Sequence, residues 1–375
     1  MAKVKLGEVA REYKATVKDA VDLPVVGLEH LIPGQVELTQ WSEDADNTFT
    51  KGFKKGQMLF GRRRAYLKKA ALAPFDGICS GDITVIEAIP ERIMPELLPF
   101  VIQNDSLFDY AVEKSAGSLS PRVKWEHLKN YEFELPEMEH QSELVDLLWA
   151  MARTKKAYQE LVKKTDELVK SQFIEMFGDV AIDKCAWPVE KMEEIFSITS
   201  SRRILKSEWK SEGNVPFIRV RDMVQLANGE PLTNEFYVSD EFYNSRPEEE
   251  KTHAGDIIVS ATSTIGKTYV IKEGERFYFK DADVLLFRKK KPINGIFFTY
   301  GLTMPTLWSQ IEPGLGATTV AHFLISKACK LLQPLPPMEL QNRFAAIVEQ
   351  SDKSKFELTQ AISRIDDMIK ALMQG

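Results

Sequence analysis

The stretch LPEMEHQ, residues 135–141, returns as LPPMELQ at residues 335–341. Five of the seven letters agree, and the offset is 335 − 135 = 200. Each copy stands directly before a long helical pattern. After the first copy Leu144, Met151, Tyr158 and Thr165 recur every seven residues, with Leu147, Thr154, Leu161 and Leu168 as a second line. After the second copy Phe344, Ser351, Leu358, Ile365 and Leu372 continue the pattern, with Ile347, Ser354, Ala361 and Met368 beside them. Heptads sustained over four repeats predict two long helices paired as a coiled coil. Thr154, Thr165, Ser351 and Ser354 weaken those seams, so each helix is expected to need its partner. Pro136 and Pro336 stand just before the helices, where a missing N–H costs little. Gly178 offers a C-terminal stop. Residues 137–177 would span about 60 Å at the rise of an α-helix.

Working outward, the duplication reaches beyond the helices. KLGEV at Lys5 is echoed by KMEEI at Lys191, and PVVGLEHL at Pro24 by PFIRVRDM at Pro216. GQMLFG at Gly56 is echoed by GDIIVS at Gly255, both read as a short strand after a turn, and GDITVIEA at Gly81 by DADVLLFR at Asp281. The expected organisation is a globular domain 1–135, a first helix with linker 136–184, a second globular domain 185–335 and a second helix 336–375. The fold class is α+β: two mixed α/β domains and two long helices forming an antiparallel coiled coil with pseudo-twofold symmetry. No βαβ alternation indicates a doubly wound sheet.

The bulk properties fit that division. A chain of 375 residues, 44% apolar and 28% charged, suits two or three soluble domains. No run of eighteen apolar residues predicts a membrane span, and MAKVKLGEVAREYK lacks the apolar core of a secretory signal. Cys79, Cys185 and Cys329 are odd in number, far apart and free of zinc spacing. Ordinary thiols in a reducing cytoplasm are expected. The net charge is −6, yet its distribution is uneven. From Lys51 to Lys69 there are eight basic residues (Lys51, Lys54, Lys55, Arg62, Arg63, Arg64, Lys68, Lys69) and no acid. Local clusters of this kind, not the total, decide whether a polyanion docks.

Two similar units that each end in a long helix read as a ruler, and duplex DNA is the obvious object to measure. The scaffold reading, in which the helices bind protein alone, stands beside it. GRRRAYLKKA, residues 61–70, is either a solvated charged loop or a DNA contact made by Arg62, Arg63, Arg64, Tyr66, Lys68 and Lys69, guanidinium forks suiting phosphate and guanine edges. The matching stretch SATSTIGKTYVI, residues 260–271, is polar and offers Ser260, Thr262, Ser263 and Lys267 to phosphates or base edges. Its GKT is not a phosphate-binding loop, because Ala261 stands where that motif requires glycine. Arg122 and Lys124 in SAGSLSPRVKW answer to Thr318, Thr319 and His322 in GLGATTVAHF. Arg202 and Arg203 form a further cluster. Arg219 and Arg221 are read as one side of a strand. No metal set is found among five histidines, and no nucleophile elbow, Walker motif or methylase motif appears.

Taken as an ordered set occurring twice, these residues resemble the specificity subunit of Type I restriction-modification systems. The resemblance rests on the KLGEV opening, on KKGQMLFGRRRAYLKKAAL followed by GICSGDITVIE, on GDIIVSATSTIGKT and on the helix entrance before each long helix. It covers nearly the whole length. It implies two target-recognition domains, each reading half of a bipartite double-stranded DNA site, with the coiled coil fixing the spacer. It implies two methyltransferase subunits that bring S-adenosylmethionine chemistry on adenine, and motor-nuclease subunits that can join them. The chain itself would bind no cofactor and carry no catalytic residue. Arg62 to Lys69 and Ser260 to Lys267 would then face DNA, and Trp149 and Arg153 would face the methyltransferase subunits. A reader fused to its own nuclease or methylase is the alternative within the enzyme class.

Overall fold

The structure is a computed structural model that describes residues 2–17, 23–43, 48–178, 185–233, 235–311 and 322–374. The chain forms two compact units, Met1–Val162 with Glu357–Gly375, and Lys163–Phe356. Among the described residues no helix is long and apolar enough to cross a membrane.

The first unit is built on a four-stranded antiparallel sheet in the order Ala10–Glu12, Ile83–Ala88, Met58–Gly61, Ala70–Leu72. Its two central strands are apolar on both faces because each face has its own core. Met58, Phe60 and Ile86 pack into a cluster with Val101, Phe108 and Leu148, whereas Leu59, Ile83 and Val85 pack with Val26, Phe53 and Cys79. The period-two alternation of a strand delivers neighbours to opposite layers, and each such side chain contributes about 1.5–3 kcal/mol by leaving water. A three-stranded sheet, Val25–Val26, Gly77–Cys79, Lys51–Phe53, forms the second layer. Ala2–Lys5 pairs antiparallel with Glu132–Leu135, the strand that leads into the first long helix.

The second unit repeats this plan. Its four-stranded sheet runs Phe196–Thr199, Val284–Lys289, Ile257–Ser260, Thr268–Val270. Ile257, Val259, Leu285 and Phe287 serve one core, and Ile258, Val284 and Leu286 the other. The strand Val189–Lys191 pairs with Leu332–Pro334 before the second long helix. The turns before the two central strands both need a left-handed residue, supplied by Gly56 at φ +85° and Gly255 at φ +84°. The small sheets differ. In the second unit Val215–Ile218 lies centrally between Tyr237–Val238 and Tyr278–Phe279.

The doubled heptapeptide now has a physical cause. Its last letter, Gln141, is 1% exposed, accepts the Met94 backbone N–H at 2.9 Å and donates to the Pro136 carbonyl at 2.9 Å. Gln341, also 1% exposed, accepts from Asn294 N–H at 2.9 Å and donates to Pro336 O at 2.8 Å. The same glutamine staples the first turn of each long helix to the body of its unit. Those helices run Met138–Phe177 and Met338–Gln374. The first stops at Gly178, whose φ is +90°.

Within each unit the helix segments pair antiparallel. In the first unit Leu144 and Ala152 share a core with Ile369, Leu372 and Met373, and Lys155 donates to Asp366 at 2.6 Å. In the second unit Lys355 donates to Asp166 at 2.9 Å, and Phe173 meets Phe344 edge-on at 5.2 Å between centroids. The line Leu144, Met151, Tyr158, Thr165 faces inward as expected. The second line is one residue off in both helices. Leu147, Thr154, Leu168, Ser354 and Met368 face outward, and Leu148, Lys155, Val162, Val169, Val348, Lys355, Ile362 and Ile369 take the seam. The adjacent apolar pairs Leu147–Leu148, Leu161–Val162 and Leu168–Val169 fit a spacing of three or four alike. Trp149 also departs from expectation: its Nε1 donates to Glu96 O at 2.9 Å and its ring packs on Phe100, so it serves the first unit's interior packing.

Candidate nucleic-acid interface

In the first unit, residues 62–69 are the hairpin loop between Met58–Gly61 and Ala70–Leu72. A single turn of 3-10 helix, Ala65–Leu67, fills it, bracketed by Arg64 at φ 54° and Lys68 at φ 50°. Non-glycine residues at positive φ are strained, and such strain collects at functional loops. A second loop docks on the first. Arg63 and Arg122 form an isolated antiparallel bridge, Arg64 N–H donates to Pro121 O at 2.8 Å, and Val123 N–H donates to Arg62 O at 3.0 Å.

Asp82 joins the two loops. It stands just before the neighbouring central strand and receives Arg122 Nε at 2.7 Å and Arg122 Nη2 at 3.2 Å. Arg63 Nη1 approaches it at 3.5 Å and its other nitrogens donate to Ser120 Oγ at 3.0 and 3.3 Å. The hydrogen bond from Arg122 holds the Asp82 carboxyl below the usual carboxylate range. The basic run is therefore less bare than its sequence implies. Lys51 turns inward to Ile83 O, Lys54 pairs with Asp76, Lys68 with Asp105 at 2.6 Å, and Lys69 donates to Leu28 O. Acids distant in sequence fold back onto it. Arg64 and Lys124 are exposed, and Tyr66 presents its ring at 54% exposure. Arg62 is half-buried, with a buried Nε that has no hydrogen-bond partner.

The second unit builds the same junction from neutral groups. Residues 261–267 link Ile257–Ser260 to Thr268–Val270. Thr262 bridges His322, and the Thr262 hydroxyl donates to Asp283 Oδ1 at 3.2 Å; Asp283 precedes the central strand as Asp82 does. Ser263 is exposed at φ 59°, and Lys267 and His322 are exposed. Ser260 is not available to a ligand: it is fully buried, its hydroxyl donating to Thr264 O and accepting from Lys267 N–H. Thr262 is likewise buried, spent on the junction. Thr318 and Thr319 lie outside the described residues.

Arg219 and Arg221 are not on a strand. Arg219 caps the helix Val220–Ala227, Arg221 lies in its first turn, and both are neutralised by Asp222 and Glu235. Arg202 pairs with Glu208 at 3.2 Å, and Arg203 is exposed. The sequence reading missed Asp82, Ser120 and Asp283. A usable signal exists, since an acid precedes the strand in both GDITVIEA and DADVLLFR.

Comparison with known proteins bears on this arrangement. Residues 186–365 match the family described as the Type I restriction modification DNA specificity domain. The chain is 23% identical over 175 residues to a type I restriction enzyme specificity subunit of Haemophilus influenzae, covering 46% of this chain and 42% of that one. It is 24% identical over 210 residues to the EcoDI specificity subunit of Escherichia coli, covering 52% and 45%. The chain thus spans about half the length of the curated relatives it matches. A chain from a solved structure on complex assembly and conformational transition of the type I R-M system has the same fold, with TM-score 0.58 at 22% identity over 99% of this chain and 96% of that one.

Proposed function

We propose that this chain, whose residues 186–365 match the Type I restriction modification DNA specificity domain, acts as a specificity subunit and reads a bipartite DNA target, one half with each unit. The observation that carries this reading is the shared junction. Two loops meet over one carboxylate at the same sheet position in both units, yet one is furnished with Arg62, Arg63, Arg64 and Arg122 and the other with Ser263, Lys267 and His322. One scaffold with two chemistries is what two unlike half-sites require: guanidinium forks for guanine and phosphate, hydroxyl and imidazole for other edges. The length of the long helices sets the spacer between the halves.

The chemistry comes on other chains. Two methyltransferase subunits carrying S-adenosylmethionine dock on the helices and methylate adenine, and motor-nuclease subunits add cleavage, all in the cytoplasm. Exposed apolar side chains on the helices support such docking: Leu147 and Met368 in the first unit, Leu168 and Phe356 in the second. The test is a DNA-binding titration of the full chain with its methyltransferase partners across salt concentrations. Phosphate contacts predict a linear fall of log affinity with log salt. Affinity that does not respond to salt, or methylated adenines in the host genome that do not change when the gene is deleted, would refute the reading.

A further inference from the structure

The loop that docks on the arginine hairpin carries a residue with no role in the fold. Leu119 is 90% exposed, the most exposed large apolar side chain among the described residues. The loop that carries it is nevertheless held at its neighbouring residues. Ala116 and Arg122 exchange both backbone hydrogen bonds, at 3.1 and 3.0 Å, and so close the loop at its base as an isolated bridge. Gly117 at φ +112° makes its turn. Arg63 grips Ser120 Oγ, Arg122 Nη1 reaches Ser120 O at 3.4 Å, and Arg64 N–H holds Pro121 O. A leucine on a loop that Arg63, Arg64 and Arg122 hold at the neighbouring residues Ser120 and Pro121 is placed to meet something both anionic and locally apolar.

We infer that Leu119 is a base-reading residue that packs on the 5-methyl group of a thymine in the major groove. This rests on the DNA reading above and deepens it. The major groove is about twice as wide as the minor groove and so is the one that admits a projecting loop with arginines beside it. The edges exposed there carry hydrogen-bonding groups and, on thymine, the methyl. Arg63, Arg64 and Arg122 would lie against phosphate or purine edges on either side while the tip contacts the methyl.

The test uses the full chain with its methyltransferase partners and a duplex enriched by that complex from a randomised pool. Each thymine of the target is replaced in turn by deoxyuridine, which removes only the methyl. At one position the wild type should bind about fourfold more weakly, the worth of one buried methyl-sized group. Leu119→Ala should bind the thymine duplex as weakly as the wild type binds the deoxyuridine duplex, and should ignore the substitution. Leu119→Met, which keeps an apolar tip, should retain the penalty. Thermal unfolding of both variants should match the wild type, since the side chain is exposed. No sensitive thymine, or a penalty that persists in Leu119→Ala, would overturn the inference while leaving DNA recognition intact. A pool from which no duplex is enriched would overturn the DNA reading and this inference with it.

Discussion

Replacing Gln141 by leucine removes its polar atoms and leaves an apolar side chain of similar size. The Met94 N–H and the Pro136 carbonyl are then left without partners where the glutamine is 1% exposed. Each orphaned backbone group costs about 1–3 kcal/mol, partly offset by burying a more apolar side chain, so a net loss of about 2–4 kcal/mol is expected. The first unit has 162 + 19 = 181 residues. At that size 1 kcal/mol moves the melting temperature by about 2–4 °C, and the transition of the unit should fall by about 4–16 °C in calorimetry. Gln341→Leu should do the same to the second unit through Asn294 and Pro336. Amide exchange gives a local check, because the Met94 and Asn294 amides should lose protection in their respective variants. A shift below about 1 °C with those amides still protected would refute the staple, and with it the physical explanation of the repeated heptapeptide.

Arg64→Ala and Lys124→Ala should each flatten the log–log salt dependence of DNA binding by about 0.9, if each neutralises one phosphate; an unchanged slope places that side chain off the DNA. Asp82→Asn should unclamp Arg63 and Arg122, and preference for the enriched target over random duplex should fall about tenfold, the scale of one lost base contact, while low-salt affinity for random DNA holds or rises. Intact preference would show that the clamp does not order the loops. Asp82 and Asp105 are both held below the ordinary carboxylate range, by hydrogen bonds from Arg122 and from Lys68 and then Lys370. The stability they confer is present above the unfolded pKa near 3.9 and is lost as pH falls through the lower folded values. The Ala116 and Arg122 amide resonances should therefore hold position from pH 8 to 5 and move only below about pH 4; a midpoint near pH 6 would contradict the assignment.

The duplication was legible because it is written in letters that the fold uses identically. Gln141 and Gln341, Gly56 and Gly255, and the strands beginning at Met58 and Ile257 do the same work in each unit. The seam was half legible: paired apolar neighbours hid which of two adjacent residues turns inward. The interface was least legible. Arg219 and Arg221 have the alternation of a strand, but the chain turns into a helix at Arg219, where Asp222 reaches back to its backbone N–H at 3.0 Å. Ser260 looks like a ligand hydroxyl and is instead the pin of its own hairpin. Asp82 lies far along the chain from Arg63 and closer to it in space than sequence spacing can reveal.

The lysines within the helical seam carry a further consequence. Lys155 and Lys355 occupy positions that leucine would fill more comfortably. Burial opposes the charge on Lys355, yet hydrogen bonds to Asp352 and Asp166 outweigh it and raise its pKa. Exchanging such a charge for an aliphatic side chain commonly raises stability. What would be lost is punctuation. An all-aliphatic stripe reads the same after a seven-residue slide, whereas a lysine must find its aspartate. Slid by one heptad, Lys155 would miss Asp366, and Leu372 would leave Leu144. A sturdier protein could thus be an ambiguous one, with its helices free to settle in more than one alignment.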